Sequence, residues 1–340
     1  MKRLGNVYHK IWDIDNLRLA HINARKGKSH YKEVKMVNEN VDYYLYKIQE
    51  QLKNKTYKTS KYVHSVIDDK GKQREISKLP YYPDRIVHWA IMLQIENTFI
   101  KNFIEDTYAS LPNRGTHKVI KKINNALKDK EKTKYTLKLD IKKFFPNVDK
   151  DILKSLLRKK FKDPNLLWLL DEIIDSSKNG LPIGNYISQY LSNFYLSYFD
   201  HWVKEDLRIK HYYRYMDDII ILESNKFLLR LYKLHIDYYL KTKLNLKIKN
   251  NWQIFPTFER GIDFLGYRLF GDYTLLRKKI AKSIKNKVKT INKRGVKKND
   301  INSIMSYMGW LEHCNSFNFS KKYMFSTIKK VKKYEILFST

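Results

Sequence analysis

The sequence is poor in the residues that build disulfide-bonded scaffolds and membrane spans. Cys314 is the single cysteine among 340 residues, so the chain can form no internal disulfide and no zinc site made of cysteine alone. No apolar run approaches the roughly 18–20 residues that cross a bilayer, and the N-terminus has no apolar segment of the kind found in signal peptides. These absences favour a reducing, cytoplasmic compartment and predict no association with a membrane.

Glycine and proline are scarce as well, with 11 and 7 residues, and no internal repeat is visible. Hydrophobic residues nevertheless make up 43% of the chain, which excludes a disordered basic tail. The length suits one large domain or two to three subdomains with a substantial core.

Acidic residues are few, because 35 Asp and Glu face 68 Lys and Arg, which gives a formal net charge of +33. Nucleic acid is the usual partner of such a field. An AT-rich coding sequence would account for part of the lysine excess but not for its unevenness: residues 273–340 hold 17 Lys and Arg against 3 Asp and Glu. The 26 tyrosines and 16 phenylalanines suit stacking on unpaired bases.

The apolar pattern predicts an α+β core rather than alternating βαβ units. We expect helices over residues 1–55, a hairpin over 59–80 with its turn at "DDKG", a strand in "YTLKLDIKKFFPNVD", a helix over 225–243, a strand around 245–249 and a strand pair in "GIDFLGYRLF". From residue 273 the pattern is basic and helical.

Two adjacent aspartates interrupt the apolar stretch "HYYRYMDDIIIL", which predicts a tight hairpin with Asp217 and Asp218 at its tip. A surface turn is the plain alternative, because aspartate is common in turns. Two carboxylates about 4 Å apart repel by about 4 kcal/mol at an effective dielectric constant near 20, so such a pair needs cations. Asp140 ends the strand "LKLD" and could join Asp217 in chelating Mg²⁺ for an in-line phosphoryl transfer. Because neighbouring side chains diverge in extended backbone, we expect Asp217 to bridge the ions and Asp218 to ligate more weakly.

The motifs "REISKLP", "LKLDIKKFF", "YMDD" and "FLGYR" resemble, in this order, the motif series of reverse transcriptases over roughly residues 20–275. A finer resemblance lies in "GLPIGNYISQYLSNFYL", where Ile183 precedes Gly184 and Gln189 follows Ser188. This loop, with "ARKGKSHYKEV", "NRGTHKVI" and "DFLGYRLF", is similar to the reverse transcriptases of bacterial and phage diversity-generating retroelements.

The resemblance implies a right-hand polymerase fold of fingers, palm and thumb, with an antiparallel palm sheet and a basic helical thumb. The corresponding boundaries are an N-terminal helical extension over 1–55, fingers and palm over 56–272 and the thumb over 273–340. The implied activity is that of an RNA-directed DNA polymerase, a nucleotidyltransferase that copies a template RNA into cDNA with errors at template adenines. Such copying would serve mutagenic retrohoming and the diversification of a target gene.

The resemblance also implies roles for individual residues. Asp140, Asp217 and Asp218, with the carbonyl of Ile141, would hold two Mg²⁺ ions. The implied nucleotide-binding residues are Arg74 at the triphosphate, Phe145 as a steric gate under the sugar, and Ile183, Gly184 and Gln189 near the templating pair. The implied primer and template residues are Tyr215, Gly266, Tyr267 and Arg114. Lys247 or Lys249 would protonate the leaving pyrophosphate, and the sequence does not decide between them.

The implied partners are a structured template RNA, RNA/DNA hybrids, deoxynucleoside triphosphates and a small basic accessory protein whose stoichiometry stays open. Two alternatives remain at this point. A retron-type or phage-defence reverse transcriptase would share the aspartates but is disfavoured by the "IGxxxSQ" loop. An RNA-binding scaffold with a dead polymerase fold is disfavoured by the three intact aspartates. Phe144 could instead be the buried ring, either phenylalanine could belong to the core, and Arg74 could be a solvated hairpin charge.

Overall fold

The computed structural model describes residues 3–68 and 73–338, with side chains described up to residue 332. The described chain forms two compact units. Unit one comprises the described residues within 1–114, 139–219 and 232–252, and unit two those within 115–138, 220–231 and 253–340. The three-part division into extension, fingers with palm, and thumb stays a prediction.

Sixteen α-helices account for most of the described chain, in agreement with the helical patterns of the sequence. They are α1 (Tyr8–Ile11), α2 (Ile14–Ala24), α3 (Lys32–Glu39), α4 (Val41–Lys53), α5 (Ile86–Asn102), α6 (Thr116–Ala126), α7 (Lys150–Lys160), α8 (Pro164–Asp175), α9 (Tyr186–Tyr195), α10 (Ser197–Glu205), α11 (Lys226–Leu244), α12 (Thr257–Arg260), α13 (Lys278–Arg294), α14 (Lys298–Glu312), α15 (Phe317–Tyr323) and α16 (Phe325–Phe338). No helix in these residues is both long and apolar enough to span a membrane.

Ten strands form three sheets in the described residues. They are β1 (Val63–Asp68), β2 (Gln73–Lys78), β3 (Thr107–Tyr108), β4 (Tyr135–Asp140), β5 (His211–Tyr215), β6 (Asp218–Glu223), β7 (Gln253–Pro256), β8 (Ile262–Phe264), β9 (Tyr267–Leu269) and β10 (Thr274–Leu276). The largest sheet has the order β3-β5-β6-β4-β7. Its β4–β7 pair is antiparallel, whereas the two-residue strand β3 runs parallel to β5, so the sheet is not antiparallel throughout.

The predicted hairpins are confirmed. Strands β1 and β2 pair antiparallel, with Ile67 opposite Arg74; most of the predicted turn "DDKG" lies outside the described residues. Strands β8 and β9 also pair antiparallel, as "GIDFLGYRLF" predicts. Strands β5 and β6 are separated only by Met216 and Asp217, so the aspartate doublet lies at the junction of two strands.

One predicted strand is wrong. Residues 245–249 do not form a strand, and their single ladder contact is an isolated antiparallel bridge between Ile248 and Ile141. The reason is local: Asn245, directly after α11, has a φ of +50°, in the left-handed region that interrupts an extended run. The bridge still places the segment beside the residue that follows Asp140.

The two cores follow from the apolar faces of their helices. In unit one, Phe99 of α5 lies with its ring centroid 5.5 Å from that of Phe161 and 5.1 Å from that of Phe194 of α9. In unit two, buried aliphatic residues of α13, α14 and α16 form a separate cluster that includes Ile284, Ile304 and Val331. Each helix buries residues three or four positions apart, the spacing expected of an amphipathic helix.

Candidate active site

The "MDD" turn and the end of β4 meet in unit one. The amide of Ile141, one residue after Asp140, donates to the carbonyl of Asp217 at 3.2 Å. Met216 at the turn has a φ of +53°, a conformation that costs free energy for a side chain of this size. Asp140, Asp217 and Asp218 are all half-buried. The fold therefore brings the three predicted carboxylates to one edge of the sheet.

The carboxylates act on one another electrostatically. Burial first, and then the charges of Asp218 and Asp140, together raise the pKa of Asp217 to about 6. Repulsion of this kind is relieved by a cation, as at other sites where carboxylates share a small volume. The donor set, carboxylate oxygens only, is the kind that Mg²⁺ prefers.

Lys249 is the cation that Asp140 contacts. Its ammonium nitrogen lies 2.5 Å from Oδ1 of Asp140 and donates to Oδ2 at 2.6 Å. Oδ1 is buried, and the same ammonium nitrogen is its close neighbour, so Lys249 lies against both oxygens of the carboxylate. The backbone supports this pairing, because the amide of Lys249 donates to the carbonyl of Asp140 at 2.8 Å. Lys247, by contrast, has an exposed side chain, although its carbonyl accepts from the amide of Lys142.

Within residues 3–68 and 73–332, no three His, Cys, Asp or Glu side chains are arranged closely enough to chelate an ion. The contact between Asp140 and Lys249 gives a physical reason, since it directs this carboxylate to an ammonium group. The chemistry of the three carboxylates fits a divalent ion, but their arrangement would require Asp140 to exchange Lys249 for it.

The two candidate gate residues have different environments. Phe144 is buried with 2% exposure, whereas Phe145 is half-buried. The carbonyl of Phe145 accepts from the amide of Leu181 at 2.9 Å. A Cβ on Gly180 would lie 2.2 Å from the same carbonyl, and the φ of Gly180 is +46°, so only glycine fits this turn. The gate segment is thus fixed to the loop that carries Ile183.

The loop at Ile183 is also fixed to the hairpin that carries Arg74. The amide of Ser77 on β2 donates to the carbonyl of Ile183 at 2.9 Å. A Cβ on Gly184, whose φ is +123°, would lie 3.0 Å from Cγ2 of Ile76 and 3.1 Å from the carbonyl oxygen of Ser77. Nothing in the sequence indicated this contact, because it joins residues more than a hundred positions apart. It registers strand β2 against the loop.

The other predicted nucleotide and template residues of unit one are spread more widely. Arg74 is exposed on β2, and Gln189 is half-buried on α9. Tyr215 is half-buried at the end of β5. Arg114 is half-buried, and its guanidinium donates to the carbonyl of Ile104 at 2.7 Å, which anchors the side chain within unit one.

Gly266 and Tyr267 lie in unit two, between β8 and β9 and at the start of β9. Gly266 has a φ of +89°, and a Cβ there would lie 2.5 Å from the Trp310 ring. Tyr267 is fully buried and donates its hydroxyl to the carbonyl of Trp310 at 3.0 Å. Both residues therefore connect the "FLGYR" turn to α14.

Comparisons with known proteins place these features in a family. Residues 52–269 match the family described as reverse transcriptase (RNA-dependent DNA polymerase). Two curated proteins are similar over shorter stretches. Protein YkfC of Escherichia coli strain K12 is 27% identical over 147 residues, 40% of this chain and 38% of YkfC. The mitochondrial nuclear intron maturase 1 of Arabidopsis thaliana is 29% identical over 110 residues, 32% of this chain and 15% of the maturase.

Among solved structures, telomerase from Candida tropicalis in complex with a fragment of telomeric RNA has a similar fold. The TM-score is 0.50 at 12% identity, over 71% of this chain and 52% of the telomerase chain. The likeness supports a right-hand polymerase fold of mixed helices and strands. Because the family match covers more than half of the sequence, the chain belongs to the reverse transcriptase (RNA-dependent DNA polymerase) family.

Proposed function

We propose that this protein is an RNA-directed DNA polymerase. The observation that carries the proposal is the electrostatic coupling of Asp217 to Asp218 and Asp140 at the junction of β5 and β6. A surface turn would not need three acidic groups that destabilise one another's charged forms. Membership of the reverse transcriptase family supports the same conclusion.

We propose that the three aspartates and the carbonyl of Ile141 would hold two Mg²⁺ ions. The ions would supply positive charge beside the attacking and leaving oxygens of an in-line phosphoryl transfer. The residues of this chain set the position of these ligands: the hydrogen bond between Ile141 and Asp217 ties the end of β4 to the turn.

Replacing Asp217 and Asp218 with asparagine tests this assignment. We expect the double variant to lose cDNA synthesis on an RNA template while it binds the same RNA with unchanged affinity, because the charge that the aspartates lose is far smaller than the surplus of +33. If the variant still synthesised cDNA, the assignment of Asp217 and Asp218 as metal ligands would be wrong. Absence of synthesis in the wild-type protein, with RNA binding intact, would favour the scaffold with a dead polymerase fold.

We propose that Phe145, rather than Phe144, rejects the ribose 2′-hydroxyl. The support is the difference in burial: Phe144 belongs to the core, whereas Phe145 is half-buried. The backbone carbonyl of Phe145 also accepts a hydrogen bond from the amide of Leu181. We expect Phe145→Ala to accept ribonucleotides and to remain folded. Unaltered sugar selectivity of this variant in single-nucleotide extension would contradict the proposal. Arg74, on the neighbouring hairpin strand β2, is proposed to bind the triphosphate, for which a planar and permanently charged group is suited.

We propose Lys249 as the group that protonates the leaving pyrophosphate. Its ammonium contacts Asp140, whereas the side chain of Lys247 is exposed. Lys249→Gln should slow single-turnover nucleotide addition, and Lys247→Gln, which makes the same change of charge, should not. Equal effects of the two substitutions would count against Lys249.

We further propose that the enzyme copies with errors at template adenines, as part of a diversity-generating retroelement. The support is the aliphatic side chain of Ile183, which has no polar atom with which to read a base. Ile183→Gln should lower misincorporation opposite adenine, and an unchanged error spectrum would contradict the role. The similarity to an intron maturase favours a second candidate, an intron-type reverse transcriptase. Near-identical repeats in the flanking DNA that differ at adenines would distinguish the retroelement from this candidate.

The remaining residues are proposed to contact the substrate duplex. Tyr215 would lie at the primer terminus, Gly266 and Tyr267 would form a primer grip, and Arg114 would contact the template. A structured template RNA, deoxynucleoside triphosphates and a small basic accessory protein are proposed partners. Loss of primer extension in Tyr267→Ala at saturating template, with template affinity retained, is the expected sign of a primer grip.

A further inference from the structure

Among the described residues, Arg214 is the largest side chain that is completely buried, and it lies directly behind the aspartate turn. It is the fourth residue of β5, two positions before Met216 and three before Asp217. A fully buried guanidinium is unusual, because it must find partners for five N–H donors. The partners of these donors therefore indicate the structural role of Arg214.

The carboxylate of Asp200 on α10 balances its charge. The Nε group of Arg214 donates to Oδ1 of Asp200 at 2.7 Å, and Nη2 donates to Oδ2 at 2.5 Å. Both side chains are fully buried. Asp200 also accepts from the hydroxyls of Tyr212 at 2.6 Å and Thr107 at 2.9 Å. The carboxylate is thus held by three separate residues, and the bidentate pair fixes the plane of the guanidinium.

The opposite edge of the guanidinium reaches the turn. Nη1 donates to the carbonyl of Met216 at 3.0 Å and to Oδ1 of Asn193 at 3.0 Å, and Nη2 also approaches the carbonyl of Asn193 at 3.4 Å. These contacts match the five donors of the group in number. Only one of these hydrogen bonds goes to the backbone of the turn. Its acceptor is the carbonyl of Met216, in the peptide that joins Met216 to Asp217.

Both peptide groups of Asp217 are consequently held from outside the turn. The preceding carbonyl accepts from Arg214, and the carbonyl of Asp217 itself accepts from the amide of Ile141. Since Met216 has a φ of +53°, the turn needs such contacts to keep its conformation. Fixing the two peptides fixes the direction of the Cα–Cβ bond of Asp217.

We propose that Arg214 is a positioning residue, which aims the Asp217 carboxylate at a divalent ion by holding the carbonyl of Met216. The inference rests on the proposed function only in taking Asp217 as a metal ligand. Asp200 serves this arrangement by pairing with Arg214 through both of its carboxylate oxygens. Residues that orient metal ligands typically contribute 10–100-fold to metal affinity or activity, so the effect is large enough to measure.

The test compares Arg214→Lys with Thr107→Val in the full-length protein. Lysine keeps the positive charge beside Asp200, but its single nitrogen cannot span Asp200 and the Met216 carbonyl together. Valine removes one hydrogen bond to Asp200 and leaves the guanidinium in contact with the turn. The readout is the dissociation constant of Mn²⁺, measured by electron paramagnetic resonance at pH 8, with Asp217→Asn as the baseline for loss of the site.

We expect Arg214→Lys to weaken Mn²⁺ binding by about 10-fold or more and Thr107→Val to leave it within about twofold of wild type. If Arg214→Lys does not fold, the double variant Arg214→Met/Asp200→Asn takes its place. It removes both buried charges and should lose Mn²⁺ affinity to the same degree. An unchanged dissociation constant in the Arg214 variants, or an equal loss in Thr107→Val, would overturn the inference. Mn²⁺ binding that depends on Arg214 in a protein without cDNA synthesis would support the inference and refute the proposed function.

Discussion

The surroundings of the Asp217 carboxylate disfavour its charged form. Its pKa is raised to about 6, first by burial and then by the neighbouring carboxylates. A raised pKa in an acid means that the folded protein binds a proton more tightly than the unfolded chain does. The free energy of unfolding that comes from this proton is present at low pH and is lost as the pH rises from about 4 through about 6.

Asp217→Asn should therefore stabilise the metal-free protein at pH 8. A rise of the pKa from 3.8 to about 6 corresponds to at most about 3 kcal/mol, because one pH unit equals about 1.4 kcal/mol. At pH 4, where the carboxyl group is neutral in the folded protein, the substitution should change little. Urea unfolding in the presence of a chelator at both pH values measures this. An equal effect at the two pH values would show that electrostatic repulsion is not the cause.

At the same scale, neighbouring residues of one type have different surroundings. The sequence leaves Lys247 and Lys249 equivalent, and the resemblance favours Phe145 over Phe144 as the gate. The fold separates each pair, because Lys249 contacts Asp140 and Phe144 enters the core. Neither distinction follows from local pattern, since each depends on a partner that is distant in sequence.

Among the elements, strand β2 and the loop at Ile183 are held together. Their hydrogen bond, from Ser77 to Ile183, lies next to the close approach of Gly184 to Ile76. A displacement of the loop would thus also displace the hairpin that carries Arg74. The contact gives a structural route by which the proposed nucleotide-binding residues are kept in register.

Gly184→Ala should disturb this register. A φ of +123° is costly for alanine, by about 1–3 kcal/mol, and the added Cβ would press on Ile76 and Ser77. We expect lower stability together with a loss of nucleotide addition. Gly27→Ala is the matched control, because Gly27 also has a positive φ, +70°, but no atom lies within 4 Å of a Cβ there. It should lose stability and keep its activity. Equal activity losses in both variants would attribute the effect to backbone strain alone.

The predicted strand over 245–249 shows how an element can be misread from its pattern. The alternation in "LNLKIK" is typical of a strand, yet the left-handed conformation of Asn245 leaves only the Ile248 bridge. The segment nevertheless brings Lys249 to Asp140. The proposed role of Lys249 thus depends on one backbone bridge and one side chain rather than on a regular strand.

For the whole molecule, the surplus of positive charge determines how nucleic acid should bind. A formal net charge of +33 predicts affinity that falls steeply with salt, because binding releases counterions from the phosphates. Exposed lysines on α13 lie opposite its buried face of Ile284, Val288 and Ile291. They are suited to contact a duplex backbone.

Substituting Lys282 and Lys289 with glutamine should weaken binding of an RNA/DNA hybrid and reduce the slope of log affinity against log salt concentration by about two. The control substitutes Lys130 and Lys154, which pair with Asp272 and Asp175 and give the same change of charge. Fluorescence anisotropy between low and moderate salt measures both slopes. If the two pairs lowered the slope equally, net charge rather than the α13 surface would be responsible.

The sequence by itself determined the family, the α+β class and most helices, and it predicted the three aspartates as metal ligands, because these depend on local periodicity and on motifs of short range. Only the tertiary structure decided which lysine meets Asp140, which phenylalanine is buried, and that β2 is bonded to the loop at Ile183. It also revealed the buried pair of Arg214 and Asp200 behind the turn. These features are contacts between distant segments, and their free energy depends on burial and geometry that no local pattern contains.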